Sequence, residues 1–386
     1  MKKRMLLILG CILILCGCSN PDAFDPFSGE GYTQADIGIG NGWNLGNTLD
    51  ACSYGNKINL GLDTEASWGM PYTTQAMISA IAQKGFKTIR IPVSYHNHIT
   101  EGTNYTIDSA WMARVKTIVD WSLTAGMKVI INIHHDNLLS AELKTTYGFT
   151  VNADSGEQTT SKKYIERIWT QVADCFKSYD DHLIFEVLNE PRNRDASNDG
   201  FSGASNLSTL NKIIREYEQV ALNAIRASGG GKNASRYVMV PPYAANPDMT
   251  TGWSLPNDSA SKKLIVSVHA YTPYEFCMNT ASTKNFTDSY KGSVDWLFTN
   301  IKTNFTAKGI FVVIGETSAS DKNNLAERKK WFSYYYDKAD SANIPVIVWD
   351  NMLVYPQGDD AGERHGYFNR DTLSWFFPTL IDEMVK

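Results

Sequence analysis

Leu183-Ile184-Phe185-Glu186-Val187-Leu188-Asn189-Glu190-Pro191 is the stretch on which the fold turns. It is a short, nearly continuous apolar run that ends in polar residues. Such a run suits a strand covered on both faces, as strands in parallel sheets are. Seven further runs of this kind occur: Ile37–Thr48, Thr88–Val93, Lys128–His134, Tyr237–Pro241, Leu264–Ala270, Ile310–Glu316 and Val346–Asp350.

Amphipathic stretches separate most of the runs. They are Thr74–Lys84, Ser109–Ala125, Lys162–Tyr179, Leu207–Ala227, Tyr290–Ala307, Leu325–Ala342 and Leu373–Val385. Asp108 is a candidate N-cap for the second of them. Asn246–Lys263, between the fifth and sixth strands, is polar and irregular, and a helix there is the least supported. Eight strands alternating with helices predict an α/β fold, a (β/α)8 barrel in one catalytic domain over residues 36–386. A doubly wound open sheet is the competing architecture. No G-x-G-x-x-G or G-x-x-x-x-G-K-[ST] follows any strand to support it.

Composition narrows the partners. The chain has 386 residues, 43% hydrophobic and 20% charged, which excludes disordered, collagen-like and coiled-coil classes. Its net charge of −5 lacks the basic excess of a nucleic-acid binder. Ten Trp, 19 Tyr and 16 Phe suit either a large aromatic core or a partner with flat apolar faces and no negative charge, such as a sugar.

The N-terminus reads as an address. Lys2, Lys3 and Arg4 precede an apolar run, Met5 to Leu15, too short to span a bilayer comfortably. Leu15-Cys16-Gly17-Cys18 resembles a bacterial lipobox. Residues 1–17 are therefore expected to be a lipoprotein signal peptide. Cys18 is expected to carry the lipid, and residues 18–35 to tether a domain to the cell envelope. No Asp follows Cys18, so the outer membrane or cell surface is the expected location. Cys52, Cys175 and Cys277 remain in the mature chain, an odd number at irregular spacing with neither a disulfide framework nor a zinc pattern.

In such a barrel, chemistry sits at the C-terminal strand ends. There the sequence places Arg90 on strand two and Asn132-Ile133-His134-His135-Asp136 on strand three. Asn189-Glu190 ends strand four and His269-Ala270-Tyr271 strand six. Gly315-Glu316 ends strand seven and Trp349-Asp350-Asn351 strand eight. A carboxylate at the end of an apolar strand is costly unless paired. Two of them, on strands four and seven, would face each other across the barrel mouth. Glycoside hydrolysis needs such a pair, one as proton donor and one as nucleophile or base.

The chain resembles glycoside hydrolase family 5, retaining β-glycanases with catalytic glutamates on strands four and seven. The resemblance rests on Asn189-Glu190-Pro191, Ile89-Arg90-Ile91-Pro92, His134, His269-x-Tyr271, Gly315-Glu316 and Trp349. Gly42-Trp43-Asn44-Leu45-Gly46-Asn47-Thr48 and Thr64-Glu65-Ala66-Ser67-Trp68-Gly69 resemble its endoglucanase and xyloglucanase branch. The matches run in order over about residues 35–380.

The resemblance implies an endo-β-1,4-glucanase acting on a β-glucan polysaccharide, with no cofactor and no metal. Glu190 is then the acid/base, its pKa raised by the neighbouring Glu316 charge. Glu316 is the nucleophile, kept ionised and aimed by Arg90 and Tyr271. Asn189 holds the sugar 2-hydroxyl. His134 and His269 orient the sugar and the acid/base. Trp349 stacks on sugar beside the scissile bond. The two carboxyl groups are expected to lie ~5–5.5 Å apart.

Asn47 and Trp68 are expected to touch sugar, and His135 to support His134. Glu186 is read as a residue of the barrel interior and Trp43 as core. The tryptophans in helical stretches, Trp296 among them, are read as helix-to-barrel packing. His96 and His98 are open between substrate contact and surface, and Asn44 between sugar contact and structure. A β-mannanase of the same family, a metal-dependent barrel hydrolase and a non-catalytic glycan-binding lipoprotein are the alternatives. A monomer is the expected state.

Overall fold

The computed structural model describes residues 37–386 apart from 56, 58, 202–204, 230 and 358–362. The expected signal peptide, Cys18 and the whole of the tether lie outside the described residues. Among the described residues no helix is long and apolar enough to cross a membrane.

Eight parallel strands close into a barrel. They are β1 (Gly42–Leu45), β2 (Thr88–Ile91), β3 (Lys128–Asn132), β4 (Leu183–Glu186), β5 (Val238–Val240), β6 (Leu264–His269), β7 (Val312–Thr317) and β8 (Val346–Asp350). Each pairs with its sequence neighbour, and β8 returns to β1 with Asn44 opposite Trp349. Around them lie α1 (Gln75–Lys84), α2 (Ser109–Thr124), α3 (Ser155–Cys175), α4 (Leu207–Ala227), α5 (Asp288–Asn304), α6 (Leu325–Ser341) and α7 (Pro378–Met384). Asp108 caps α2, its Oδ1 accepting the Ala110 and Trp111 N–H groups at 2.8 and 3.0 Å. It thereby satisfies two otherwise orphaned donors.

The period of two along each strand divides the core. Residues such as Ile131, Phe185, Val266, Ile314 and Val348 face outward under the helices. Ile130, Ile184, Met239, Ile265, Val313 and Ile347 face inward and fill the lower lumen. Ile37 and Ile39, expected in the first strand, join that plug instead.

Three expected elements differ. Between β5 and β6 there is only a 3-10 turn, Tyr243–Ala245. Pro241, Pro242, Pro247, Pro256 and Gly252 explain it, since they deny the backbone a continuous helix. α3 begins at Ser155, seven residues early, because Asp154 caps it by accepting the Glu157 N–H at 2.8 Å. The last helix starts only at Pro378, a residue favoured in the first helical turn. Ahead of it, Ser374–Trp375 pairs antiparallel with Phe368–Asn369.

Trp43, Trp111, Trp169 and Trp331 are core as expected. Trp296 is not. Val294, Leu297, Phe298 and Ile301 occupy the buried stripe of α5 and leave Trp296 62% exposed on another face. Cys52, Cys175 and Cys277 are free thiols.

Candidate active site

The site is built on a buried cation. Arg90 enters the lumen from β2 with no exposure, a position that requires every donor to find an acceptor. Its Nε donates to Glu186 Oε2 at 2.7 Å, and its Nη2 to Asn189 Oδ1 at 2.7 Å. Nη1 donates to Glu316 Oε1 at 2.6 Å and to Asn44 Oδ1 at 2.9 Å. Glu186 accepts further from Asn132 Nδ2 at 2.9 Å and Ser267 Oγ at 2.6 Å. Glu186 is thus a member of the interior network, as read from the sequence. Asn44 proves structural as well, its Nδ2 donating to the Gly315 carbonyl at 2.8 Å.

Glu316 reaches the mouth through an irregularity. Strand alternation puts Val313 and Gly315 inward, and so would turn residue 316 outward. The β6–β7 register shifts between Val268 and His269, bringing His269 opposite Glu316. The β7–β8 register shifts too. Such shifts re-aim side chains at barrel rims. Gly315 is required there, since a Cβ would come 2.7 Å from Ser267 Oγ. Tyr271 donates its hydroxyl to Glu316 Oε2 at 3.0 Å.

Glu190 follows β4 and faces Glu316, with a carboxylate oxygen of each within 4.8 Å of the other and of a His269 ring nitrogen. That separation belongs to the retaining geometry, not to the ~6.5–9.5 Å of inverting sites. His269 Nδ1 lies 2.7 Å from Glu190 Oε1 and 3.6 Å from Glu316 Oε2.

The electrostatics differ from expectation at Glu190. Burial acts to raise its pKa. The His269 hydrogen bond and charge, then Arg192 and Arg90, outweigh it, and the carboxyl sits below its ordinary value. His269 is raised, since Glu316 and Glu190 overcome its burial. Glu190 and His269 thus shift in opposite directions across one hydrogen bond, and the cluster titrates as a unit. Glu316 is raised by burial and by Glu190, against His269 and Arg90. The donors at both its oxygens favour the anion.

The cleft above encloses about 860 Å³. Asn47, Trp68, His134, His135, Asn189, His269, Tyr271 and Trp349 all line it. His134 and Trp349 lie parallel, 5.8 Å between centroids and 6° between planes. Burial and the positive charge nearby keep His134 neutral. Trp68 is 39% exposed, its Nε1 donating to the Cys52 carbonyl at 3.2 Å. His135 reaches the cleft itself, beside Trp68, besides flanking His134.

His96 and His98 stay out of the cleft. His96 Nδ1 lies 2.7 Å from Asp136 Oδ1, and despite burial that contact pushes its pKa up to about 10. His98 stacks on Trp111 and burial pushes it down to about 3.

Tyr54, Arg192, Arg194, Phe201 and Tyr274 also line the cleft and were not singled out from the sequence. Only Arg192, next to Asn189-Glu190-Pro191, carried a positional signal. Asp50, His134 and His135 bring ligand-type atoms within 4.8 Å, as Glu190, His269 and Glu316 do. Asp50 is already committed to the Asn47 and Thr48 N–H groups, and Glu316 to Arg90 and Tyr271.

Residues 52–352 match the family profile Cellulase (glycosyl hydrolase family 5). Endoglucanase A of Clostridium longisporum is 36% identical over all of this chain and 73% of its own length. A GH5-4 broad specificity endoglucanase from Ruminococcus champanellensis with bound cellotriose superposes with a TM-score of 0.81. It is 39% identical over 90% of this chain and 96% of that one. A mutant glycoside hydrolase 5 lichenase from Caldicellulosiruptor sp. F32, in complex with cellotetraose, gives 0.82 at 37% identity over 92% and 95%.

Proposed function

The chain belongs to the cellulase family, glycosyl hydrolase family 5, and from that premise we infer how its residues share the work of a retaining endo-β-1,4-glucanase. The observation that carries this is the pairing of Glu190 and Glu316 within 4.8 Å at the ends of strands four and seven.

In the first step Glu316 attacks the anomeric carbon and forms a glycosyl-ester bond. The bond to the leaving oxygen breaks as the Glu190–His269 pair delivers its proton through Glu190. Glycosylation removes the Glu316 charge. In the second step Glu190 takes a proton from water, whose oxygen attacks the same carbon and releases Glu316. Two inversions give net retention. Arg90 and Tyr271 aim the nucleophile. Asn189 gives its Oδ1 to Arg90, which leaves its Nδ2 for the sugar 2-hydroxyl. His134 and Trp349 form one wall for the sugar next to the scissile bond.

Cellulose-type glucan, mixed-linkage β-glucan and xyloglucan are the substrates we propose, cut internally in the open cleft. The lichenase and the cellotriose-bound endoglucanase support glucans over mannan. Attachment to the bacterial envelope through Cys18 is proposed from the lipobox pattern alone.

The test is product release from mixed-linkage glucan, xyloglucan, carboxymethylcellulose and glucomannan, with Glu190→Gln beside the parent. Short glucan oligosaccharides that vanish in the variant are expected. Release from glucomannan alone would overturn the substrate and keep the mechanism. Silence throughout from folded protein would favour a glycan-binding role.

A further inference from the structure

After Glu190 and Pro191 the chain enters a turn that the catalytic pair alone does not require. Asn198, Asp199 and Gly200 follow one another at φ 54°, 49° and 79°. Left-handed backbone is disfavoured for residues with a Cβ, and consecutive instances need surrounding contacts to persist. Gly200 has no alternative, since a Cβ would lie 2.3 Å from the Asn193 carbonyl oxygen.

What the turn holds is Arg192. Asp199 Oδ2 accepts from Arg192 Nη2 at 2.5 Å, and its carbonyl from Arg192 Nε at 2.9 Å. Asp199 Oδ1 accepts from Arg194 Nε at 3.0 Å, which fixes the carboxylate from the far side. The Phe201 ring lies 3.8 Å from the Arg192 guanidinium carbon. Arg192 Nη1 donates to the Glu190 carbonyl at 3.1 Å and stops 3.8 Å from Glu190 Oε2. That is too long for a hydrogen bond and close enough for charge to act.

We propose that Arg192 is a positioning residue whose clamped positive charge sets how readily the Glu190–His269 pair gives up its proton. This rests on the reading of Glu190 as acid/base. A cation at this distance favours the Glu190 anion. It therefore helps release the proton to the leaving oxygen and supports the carboxylate that must act as base in the second step.

The other groups facing Glu190 are His269 from β6, Glu316 from β7, Arg90 from β2, Tyr271, and His134 and His135 from the loop after β3. His269 is the stronger influence on the same proton. Arg192 differs from Arg90 and His269 in being held by a strained turn, whereas Arg90 bonds Glu186 and Glu316 and His269 stands 3.6 Å from Glu316 Oε2.

The test is the pH profile of kcat/KM on mixed-linkage glucan for Arg192→Met, Arg192→Lys and Asp199→Asn. Loss of the charge raises the pair's proton affinity. The alkaline limb of Arg192→Met should move to higher pH by about half a unit to one unit. The acid limb, set by Glu316, should move less. Arg192→Lys should bring the alkaline limb back, and Asp199→Asn should fall between. A uniform loss at every pH with both limbs in place would make the role structural and overturn the proposal. Equal movement in Arg192→Lys and Arg192→Met would also overturn it, since shape rather than charge would then be at work. Asp199→Asn keeps the question open to test if Arg192→Met fails to fold. Retained hydrolysis by Glu190→Gln would instead sink the acid/base reading itself.

Discussion

The two halves of the barrel lumen follow opposite rules, one pleat repeat apart. Below, Ile130, Ile184, Ile265, Val313 and Ile347 fill space and carry no charge. Two residues further along the same strands and the same inward face stand Asn132, Glu186, Ser267, Gly315 and Trp349. The lower layer is held by volume and the upper by saturated hydrogen bonds around Arg90. Stability and chemistry thus occupy separate layers of one lumen. Substitutions should then separate the two properties according to layer.

The sharpest separation is expected at the rim. Glu190→Gln should lower kcat on polysaccharide by about a thousandfold. Its thermal midpoint should stay near the parent's, because among the described residues only His269 lies within hydrogen-bond reach of the Glu190 carboxylate, which is partly exposed. A large fall in the midpoint would show that the rim also carries the fold. Next comes a pair two residues apart on β4. Ile184→Ala should cost about 2–5 kcal/mol of stability and leave kcat within twofold, read by denaturant titration and initial rates. Glu186→Leu should damage both, because it leaves Arg90 Nε without its acceptor and breaks a buried pair worth about 3–5 kcal/mol when cut on one side. If Ile184→Ala loses activity in step with Glu186→Leu, the layers are not separate.

The layers should also differ in their response to pH. The lower one is mainly aliphatic. Beyond the strand ends, in the loop after β2, His96 has a folded pKa of about 10 against an ordinary 6.5, set by its contact with Asp136. A raised histidine contributes its stability in full below the unfolded value and loses it as pH climbs through the folded one. The thermal midpoint should therefore decline between pH 6.5 and 10, and decline less steeply in His96→Gln. An equal slope in both proteins would remove His96 as the cause.

Much of this was legible in the sequence. Continuous apolar runs marked all eight strands, and Asp108 marked its helix start. The strand-end rule found Glu190 without reference to packing. Glu316 was legible by its position after Gly315, but strand parity alone would have turned it away. Only the shifted β6–β7 register brings it inward. The His269 contact, which reverses the direction expected for Glu190, is a long-range meeting of the end of β6 with the loop after β4 and leaves no local trace. Arg194 is held by Asp199 and Glu142, Phe201 lies against Arg192, and Tyr54 lies against His96 and Arg194, so no periodicity announces them. Trp296 was misread because composition marks a tryptophan as core, whereas the helical stripe decides which face it joins.

The smallest effect is expected farthest from the charged floor. Trp68 sits on the loop after β1, 39% exposed, tied down by a hydrogen bond from its Nε1 to the Cys52 carbonyl and flanked by His135. A ring so placed can offer sugar a flat face without contributing to the barrel. Trp68→Ala should raise KM on mixed-linkage glucan by about two- to tenfold, the worth of one aromatic contact. kcat and the thermal midpoint should barely change, since the interaction is made equally before and during bond cleavage. Trp68→Phe should recover most of the KM effect, because the face is kept and only the tie to Cys52 is lost. A fall in kcat instead would place Trp68 in contact with the distorted sugar at the scissile bond, and the rim would then be a single catalytic surface rather than a floor with a separate platform.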